Sequence, residues 1–209
     1  MIPALEALAR LRDGNRRFVA NQSAAAAGLS PARRAALVAR QEPFAIVLGC
    51  SDSRVPAEFV FDQGLGDLFV IRVAGNIVAS SQIGSVEFAA ARFGTRLVVV
   101  LGHSQCGAVM ATLEEVLGRT TTQSSYLRSI VDRVRPSVEP LVVSREQAEP
   151  EALMGDAVRA NVRASADQLR HGSNLLDNLI RKDGLLVVGA EYCLESGVVT
   201  FFDGLPTAR

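Results

Sequence analysis

The sequence predicts an α/β fold with a mostly parallel central sheet flanked by helices, preceded by an N-terminal helical arm. Four short and nearly unbroken apolar runs lie between residues 44 and 189, and such runs mark strands buried on both faces, as in parallel sheets. Helical stretches separate these runs, which is the alternation of an α/β domain. Ahead of the first run the apolar residues follow helical spacing instead.

Leu5, Leu8, Leu11 and Phe18, with Arg and Asp on the other face, predict an amphipathic helix over residues 3–20. Asn21–Leu29, with Gly28 near its end, links it to a second helix. Ser30-Pro31 opens that helix as N-cap and first-turn proline, and it should stop before Pro43. This arm has no sheet of its own to cover and is expected to lie against a partner subunit. The strands are Phe44–Gly49, Asp67–Val73, Arg96–Leu101 and Leu185–Gly189, with helices over Ser85–Phe93, Gly107–Leu117 and Asp156–Arg181. Glu191–Phe202 reads as a terminal hairpin or edge pair around Ser196-Gly197. Between Arg119 and Glu151 the pattern is weakest. Thr120–Ser125 is turn-like, and Pro136, Pro140 and Pro150 are expected to interrupt the helix that Tyr126–Val134 begins. The apolar alternation is the same on both sides of this excursion, so residues 1–209 are read as one domain, an arm over 1–42 and a core over 43–209.

Composition narrows the function. Hydrophobic residues make up 48% and charged residues 21%, as in soluble globular proteins, and 22 basic residues balance 22 acidic ones. A chain of zero net charge is not drawn to nucleic acid or to an anionic membrane, and no apolar run reaches the ~18 residues of a membrane span. Three cysteines are too few and of the wrong parity for a disulfide scaffold, so reduced thiols and a cytoplasmic location are expected.

Two strands end almost alike, in Ile46-Val-Leu-Gly-Cys50 and Val99-Val-Leu-Gly-His103. Each puts a metal-ligating side chain just beyond the carboxyl end of a buried strand, where open α/β sheets assemble their sites. Cys106 follows at the start of the next helix, whose unpaired N–H groups favour a thiolate. Two thiolates and an imidazole suit zinc with an open fourth position. Asp52 is either a fourth ligand or an acceptor for a zinc-bound water, and Arg54 is placed to grip its carboxylate. Ser51, Ser53 and Ser104 have no histidine to activate them and are read as loop-shaping groups. Cys193 reads as a buried core thiol and His171 as the exposed end of a helix.

Cys50-Ser-Asp-Ser-Arg54 and His103-Ser-Gln-Cys106-Gly107, preceded by Ala74-Gly-Asn76, resemble the β-class carbonic anhydrases. The likeness runs from Leu11–Phe18, a Leu-x-x-Gly-Asn-x-Arg-Phe pattern, to Gly189–Tyr192 and Gly197. It implies one Zn²⁺ per subunit on Cys50, His103 and Cys106, with Asp52 and Arg54 as the catalytic dyad. The implied reaction is reversible hydration of carbon dioxide to bicarbonate and a proton by zinc-bound hydroxide. The resemblance also implies Gln41, Phe69, Ala74 and Gly107 as substrate-binding residues, with Phe88 from a partner as further apolar wall, and a homo-oligomer that is a dimer or a dimer of dimers. Arg72 and Tyr192 match a regulatory bicarbonate pocket, whereas Val47 stands where its tryptophan would be, so an open, water-bearing site is expected. Two thiolates cancel the charge of Zn²⁺, hence activity should rise toward alkaline pH. The alternatives are hydrolysis of carbon disulfide or carbonyl sulfide on the same site, or a non-catalytic zinc- or bicarbonate-binding module.

Overall fold

The computed structural model describes residues 2–23, 30–144 and 149–206. Its centre is a five-stranded sheet in the order β2-β1-β3-β4-β5, built from β1 (Ala45–Gly49), β2 (Leu68–Arg72), β3 (Leu97–His103), β4 (Leu186–Tyr192) and β5 (Val199–Asp203). The first four are parallel, and β5 returns antiparallel to β4 through a turn. The hairpin over Glu191–Phe202 is therefore made of the long β4 and one added edge strand. Every residue of β1 and β3 is buried, which is why their sequences run apolar without alternation.

Alternate side chains still serve different faces. Val47, Leu97, Val99, Leu101 and Val188 meet α1 (Ala4–Val19) and α3 (Ala57–Val60) on one side. Ile46, Leu48, Val98, Val100 and Val187 face α4 (Ser80–Arg92), α7 (Pro150–His171) and α8 (Asn174–Lys182) on the other. A third apolar cluster forms beyond the strand ends. There α5 (Gly107–Val116), α6 (Ser125–Ser144) and α7 pack around Val109, Leu113, Val134, Leu153 and Val158, with Cys50 and Cys106 in the same cluster.

Three expectations are corrected. First, α1 covers a sheet of its own: Ala7, Leu8 and Leu11 are buried against the β1–β3–β4 face, and each leucine so buried contributes about 2 kcal/mol. Leu5 is exposed, so the inward stripe is Ala4-Ala7-Leu8-Leu11-Gly14-Asn15. Gly14 permits the docking, since a Cβ there would lie 1.8 Å from the Phe61 carbonyl oxygen. The second arm helix, α2 (Pro31–Leu37), buries nothing, though Ser30 caps it as expected by accepting from the Arg33 N–H. Residues 24–29 of the expected linker lie outside the described residues.

Second, α6 runs straight through Pro136 and Pro140. Both prolines are exposed and four residues apart, so the carbonyls they leave without an N–H partner face water while Val131, Val134, Val138 and Val142 stay inside. Pro150 starts a helix instead of breaking one, at the first position of α7, where no N–H is needed. Third, the long helix expected over Asp156–Arg181 is two helices, divided at Gly172-Ser173. Ser173 caps α8 by accepting from the Leu176 N–H.

Helix α7 lies close on the sheet because two strand positions opposite it have no side chain. A Cβ on Gly102 would come within 2.5 Å of Val162, and one on Gly189 within 2.8 Å of it. This close packing fixes the height of α7 above the strand ends, where the polar residues gather.

Candidate metal centre

Parallel pairing of β1 with β3 sets Gly49 beside Leu101, so the segments leaving both strands emerge at the same edge. Cys50 follows β1 directly, and His103 is the last residue of β3. Gln105 then takes a left-handed backbone conformation (φ 57°), which turns the chain so that Cys106 becomes the N-cap of α5. The three ligand atoms lie within 4.8 Å of one another, and all three residues are buried. The two sulfurs are 4.0 Å apart.

The histidine is already oriented. Its Nδ1 is 2.9 Å from the Ser104 carbonyl oxygen and donates to it, which leaves Nε2 with its lone pair toward the cysteines. Nε2 is buried and has no hydrogen-bond partner among the described residues. An unpartnered imidazole nitrogen between two buried thiols is a costly arrangement for an apolar core and a good one for a soft or borderline cation. The donor set fits zinc.

In the metal-free chain the thiols share their protons unequally. Cys50 is driven down by the hydrogen bond from the Cys106 thiol, helped by His103 and by the N–H groups of Asp52 and Gly75, against the opposing cost of burial. Cys106 is driven up by that same bond and by burial. Burial opposes a proton on His103, but the adjoining Cys50 sulfur outweighs it and raises the imidazole overall. Of the two thiols, Cys50 is thus the one that gives up its proton first, before any cation arrives.

Asp52 faces this cluster with an oxygen 4.0 Å from His103 Nε2. Arg54 grips the carboxylate from behind: its Nε donates to Oδ1 at 2.9 Å, its Nη2 to Oδ2 at 2.7 Å, and its backbone N–H to Oδ1 at 3.0 Å. This fork holds the carboxyl well below the usual range, so Asp52 is ionised at any ordinary pH. Arg72, at the end of β2, shapes the loop by donating to the carbonyls of Cys50 at 2.9 Å and Asp52 at 2.5 Å.

Residues singled out in the sequence separate into two sets. Ala74 and Gly107 adjoin the cysteines, one in the 3-10 turn Ala74–Asn76 whose Gly75 N–H points at Cys50 Sγ, the other directly after Cys106. Gln41 and Phe69 lie elsewhere in the chain. Gln41 precedes β1 and lines an exposed groove with Arg34, Val38, Leu65, Arg92 and Phe93. Phe69 pairs with Ile46, about 13 Å along the strand from Cys50, and stacks with Phe88 and Phe93. Cys193 is corrected. It is half-buried in the turn after β4, where the Ser196 hydroxyl and neighbouring N–H groups lower its thiol, and is no part of the core. His171 is exposed at the end of α7 beside Asp167, as expected. Ser104 shapes its loop, accepting at its hydroxyl from the Leu194 N–H.

Sequence reasoning missed the groups that act through the backbone. Gly75, Asn161 and the Ser104 carbonyl all support the cluster, yet a carbonyl has no signature in a sequence. The glycine alone was visible, inside Ala74-Gly-Asn76. It is required there by φ 69° and by Ala108, whose Cβ would sit 3.1 Å from an added Cβ.

Comparison with known proteins agrees with this geometry. A family model described as carbonic anhydrase matches residues 45–199. Carbonic anhydrase 2 of Mycobacterium tuberculosis is 39% identical over 187 residues, covering 90% of this chain and 87% of the relative. A carbonic anhydrase of Mycolicibacterium smegmatis is 49% identical over 132 residues, 61% of each chain. The β-carbonic anhydrase CafA of Aspergillus fumigatus superimposes with a TM-score of 0.75 at 24% identity, over 97% of this chain and 92% of its own. With the fold, the Cys-His-Cys cluster and these relatives in agreement, the chain belongs to the carbonic anhydrase family, in its β class.

Proposed function

We propose that this protein hydrates carbon dioxide reversibly to bicarbonate and a proton, using one zinc ion per chain held by Cys50 Sγ, His103 Nε2 and Cys106 Sγ. The observation that carries the reading is the buried Nε2 of His103, within 4.8 Å of two thiol sulfurs and without a hydrogen-bond partner among the described residues. Zinc on such donors supplies a Lewis acid that activates water as a nucleophile.

The chain's own residues then have distinct tasks. Asp52, kept ionised by Arg54, can only accept a hydrogen bond, so it turns the O–H of the attacking water toward itself and a lone pair toward the carbon of the substrate. Arg54 spends its fork on that carboxylate and so fixes its direction. Ala74 and Gly107 bring no polar side chain to the neighbourhood of the cysteines, which suits a small apolar substrate. Arg72 holds the Cys50–Asp52 loop in shape.

A homo-oligomer fits the same reading. Two β-carbonic anhydrases of Sordaria macrospora are described as tetrameric, and in one chain of the present protein Gln41 and Phe69 stand too far from Cys50 to touch a shared substrate. A neighbouring chain is the natural source of such residues. A reducing cytoplasm suits a site whose two thiolates must escape oxidation.

The test is direct. Purified protein should contain one zinc per chain and hydrate carbon dioxide in a stopped-flow assay. Cys106→Ser should lose the metal. Asp52→Asn should keep the metal and lose on the order of 100-fold in turnover. Zinc-replete protein inactive on carbon dioxide but active on carbonyl sulfide would replace the proposed substrate.

A further inference from the structure

The Gly75 segment is anchored at two points, and both bear on the metal centre. Its N–H donates to Cys50 Sγ at 3.4 Å. Its carbonyl accepts from Nδ2 of Asn161 at 2.7 Å, a buried bond from a residue 86 positions away on α7. Asn161 is 2% exposed, and its helix is held at a fixed height by the contacts of Val158 and Val162 with the side-chain-free positions Gly102 and Gly189. Asn76 N–H closes the turn onto the Val73 carbonyl. With one peptide of Gly75 held by Asn161 and the turn closed behind it, the neighbouring N–H has little freedom to leave the sulfur.

We infer that Asn161 is a positioning residue for the metal centre: by holding the Gly75 carbonyl it keeps the Gly75 N–H on Cys50 Sγ, and so sets how much electron density that sulfur gives a bound metal. This rests on the reading that Cys50, His103 and Cys106 hold the metal. A hydrogen bond to a thiolate withdraws charge from it and leaves the metal a stronger Lewis acid, and partners of this outer kind commonly alter metal affinity or activity by roughly 10–100-fold. The side-chain hydrogen bond of Asn161 goes to the Gly75 carbonyl. Its influence passes through one glycine.

The experiment uses full-length protein loaded with Co²⁺ in place of zinc, whose thiolate-to-cobalt charge-transfer band reports the sulfur directly. Asn161→Ala removes the donor, and Asn161→Leu removes it while filling about the same space. Leu169→Ala, about two turns along α7 and fully buried, is the packing control. Both Asn161 variants should bind one cobalt per chain with the band moved to longer wavelength. Leu169→Ala should lower the melting temperature and leave the band in place. An unmoved band in both Asn161 variants, an equal shift in Leu169→Ala, or failure of both Asn161 variants to fold would overturn the role given to Asn161. Wild-type protein with no thiolate-to-cobalt band would overturn the metal reading itself, a separate result.

Discussion

Arg54 and Asp52 show how much one pair of side chains settles. The fork of Arg54 depresses the Asp52 carboxyl, so the sign of its linkage is fixed: the stabilisation is present above the ordinary carboxylate pKa and lost as pH falls through the lower folded value. Asp52 therefore contributes nothing to a rise of activity at neutral or alkaline pH. Arg54→Ala should let the carboxyl return toward about 3.9, which still leaves it ionised at pH 8. The charge survives and the aim is lost. Carbon dioxide hydration by Arg54→Ala at pH 8 should fall roughly 10–100-fold with metal content unchanged; full activity would show that the direction of the carboxylate does not matter. The five polar residues Cys50, Asp52, Arg54, His103 and Cys106 were legible in the sequence because their chemistry lies in their side chains and they flank two matching strand ends. Gly75 was legible only as a glycine inside Ala74-Gly-Asn76 and Ser104 only as a loop-shaping hydroxyl; the Gly75 N–H, the Ser104 carbonyl and the Asn161 bond were not, because backbone groups and a bond spanning 86 positions leave no mark in a sequence.

The strands were equally legible among the elements, since burial on both faces writes itself as an unbroken apolar run. The helices were less so. Whether a proline breaks a helix depends on whether the freed carbonyl meets water, and the exposed side of α6 is a property of its packing that its local sequence does not state. The docking of α1 was hidden for a similar reason, for an amphipathic stripe says that a face is buried and not against what. Asn15 shows what the docking does. Its Nδ2 donates to the carbonyls of Val60 at 3.0 Å and Gly197 at 2.9 Å, and its Oδ1 accepts from the Val199 N–H at 2.9 Å. The β4–β5 turn so held bonds the next layer, through Leu194 N–H to the Ser104 hydroxyl and Ser104 N–H to the Tyr192 carbonyl. Ser104 in turn orients His103. Asn15→Ala strands buried backbone groups on both sides of the interface, and chemical denaturation should show a loss of about 3 kcal/mol. Metal retention should fall with it, because the loss propagates to the histidine; a destabilised variant that keeps its metal as tightly as wild type would break this chain of contacts.

At the scale of the whole molecule the sheet has two edges, β2 and β5, and they are not alike. The β2 edge carries an aromatic cluster in which Phe69, Phe88 and Phe93 have ring centroids 5.5–6.2 Å apart, and Phe88 is 54% exposed. An open strand edge beside exposed aromatic surface is a hazard for a lone chain, and proteins manage it by covering or pairing it. Phe69, expected at the substrate, belongs to this cluster, and Gln41 lines a groove that also includes Phe93. Gln41 and Phe69, two residues expected at the substrate, are thus gathered on one face. If a second copy covers that face, assembly and activity fail together. Phe88→Asp should yield a smaller species by light scattering, with metal still bound at Cys50, His103 and Cys106 and carbon dioxide hydration lost; an active monomer would show that one chain holds a complete site and that the aromatic face serves another end.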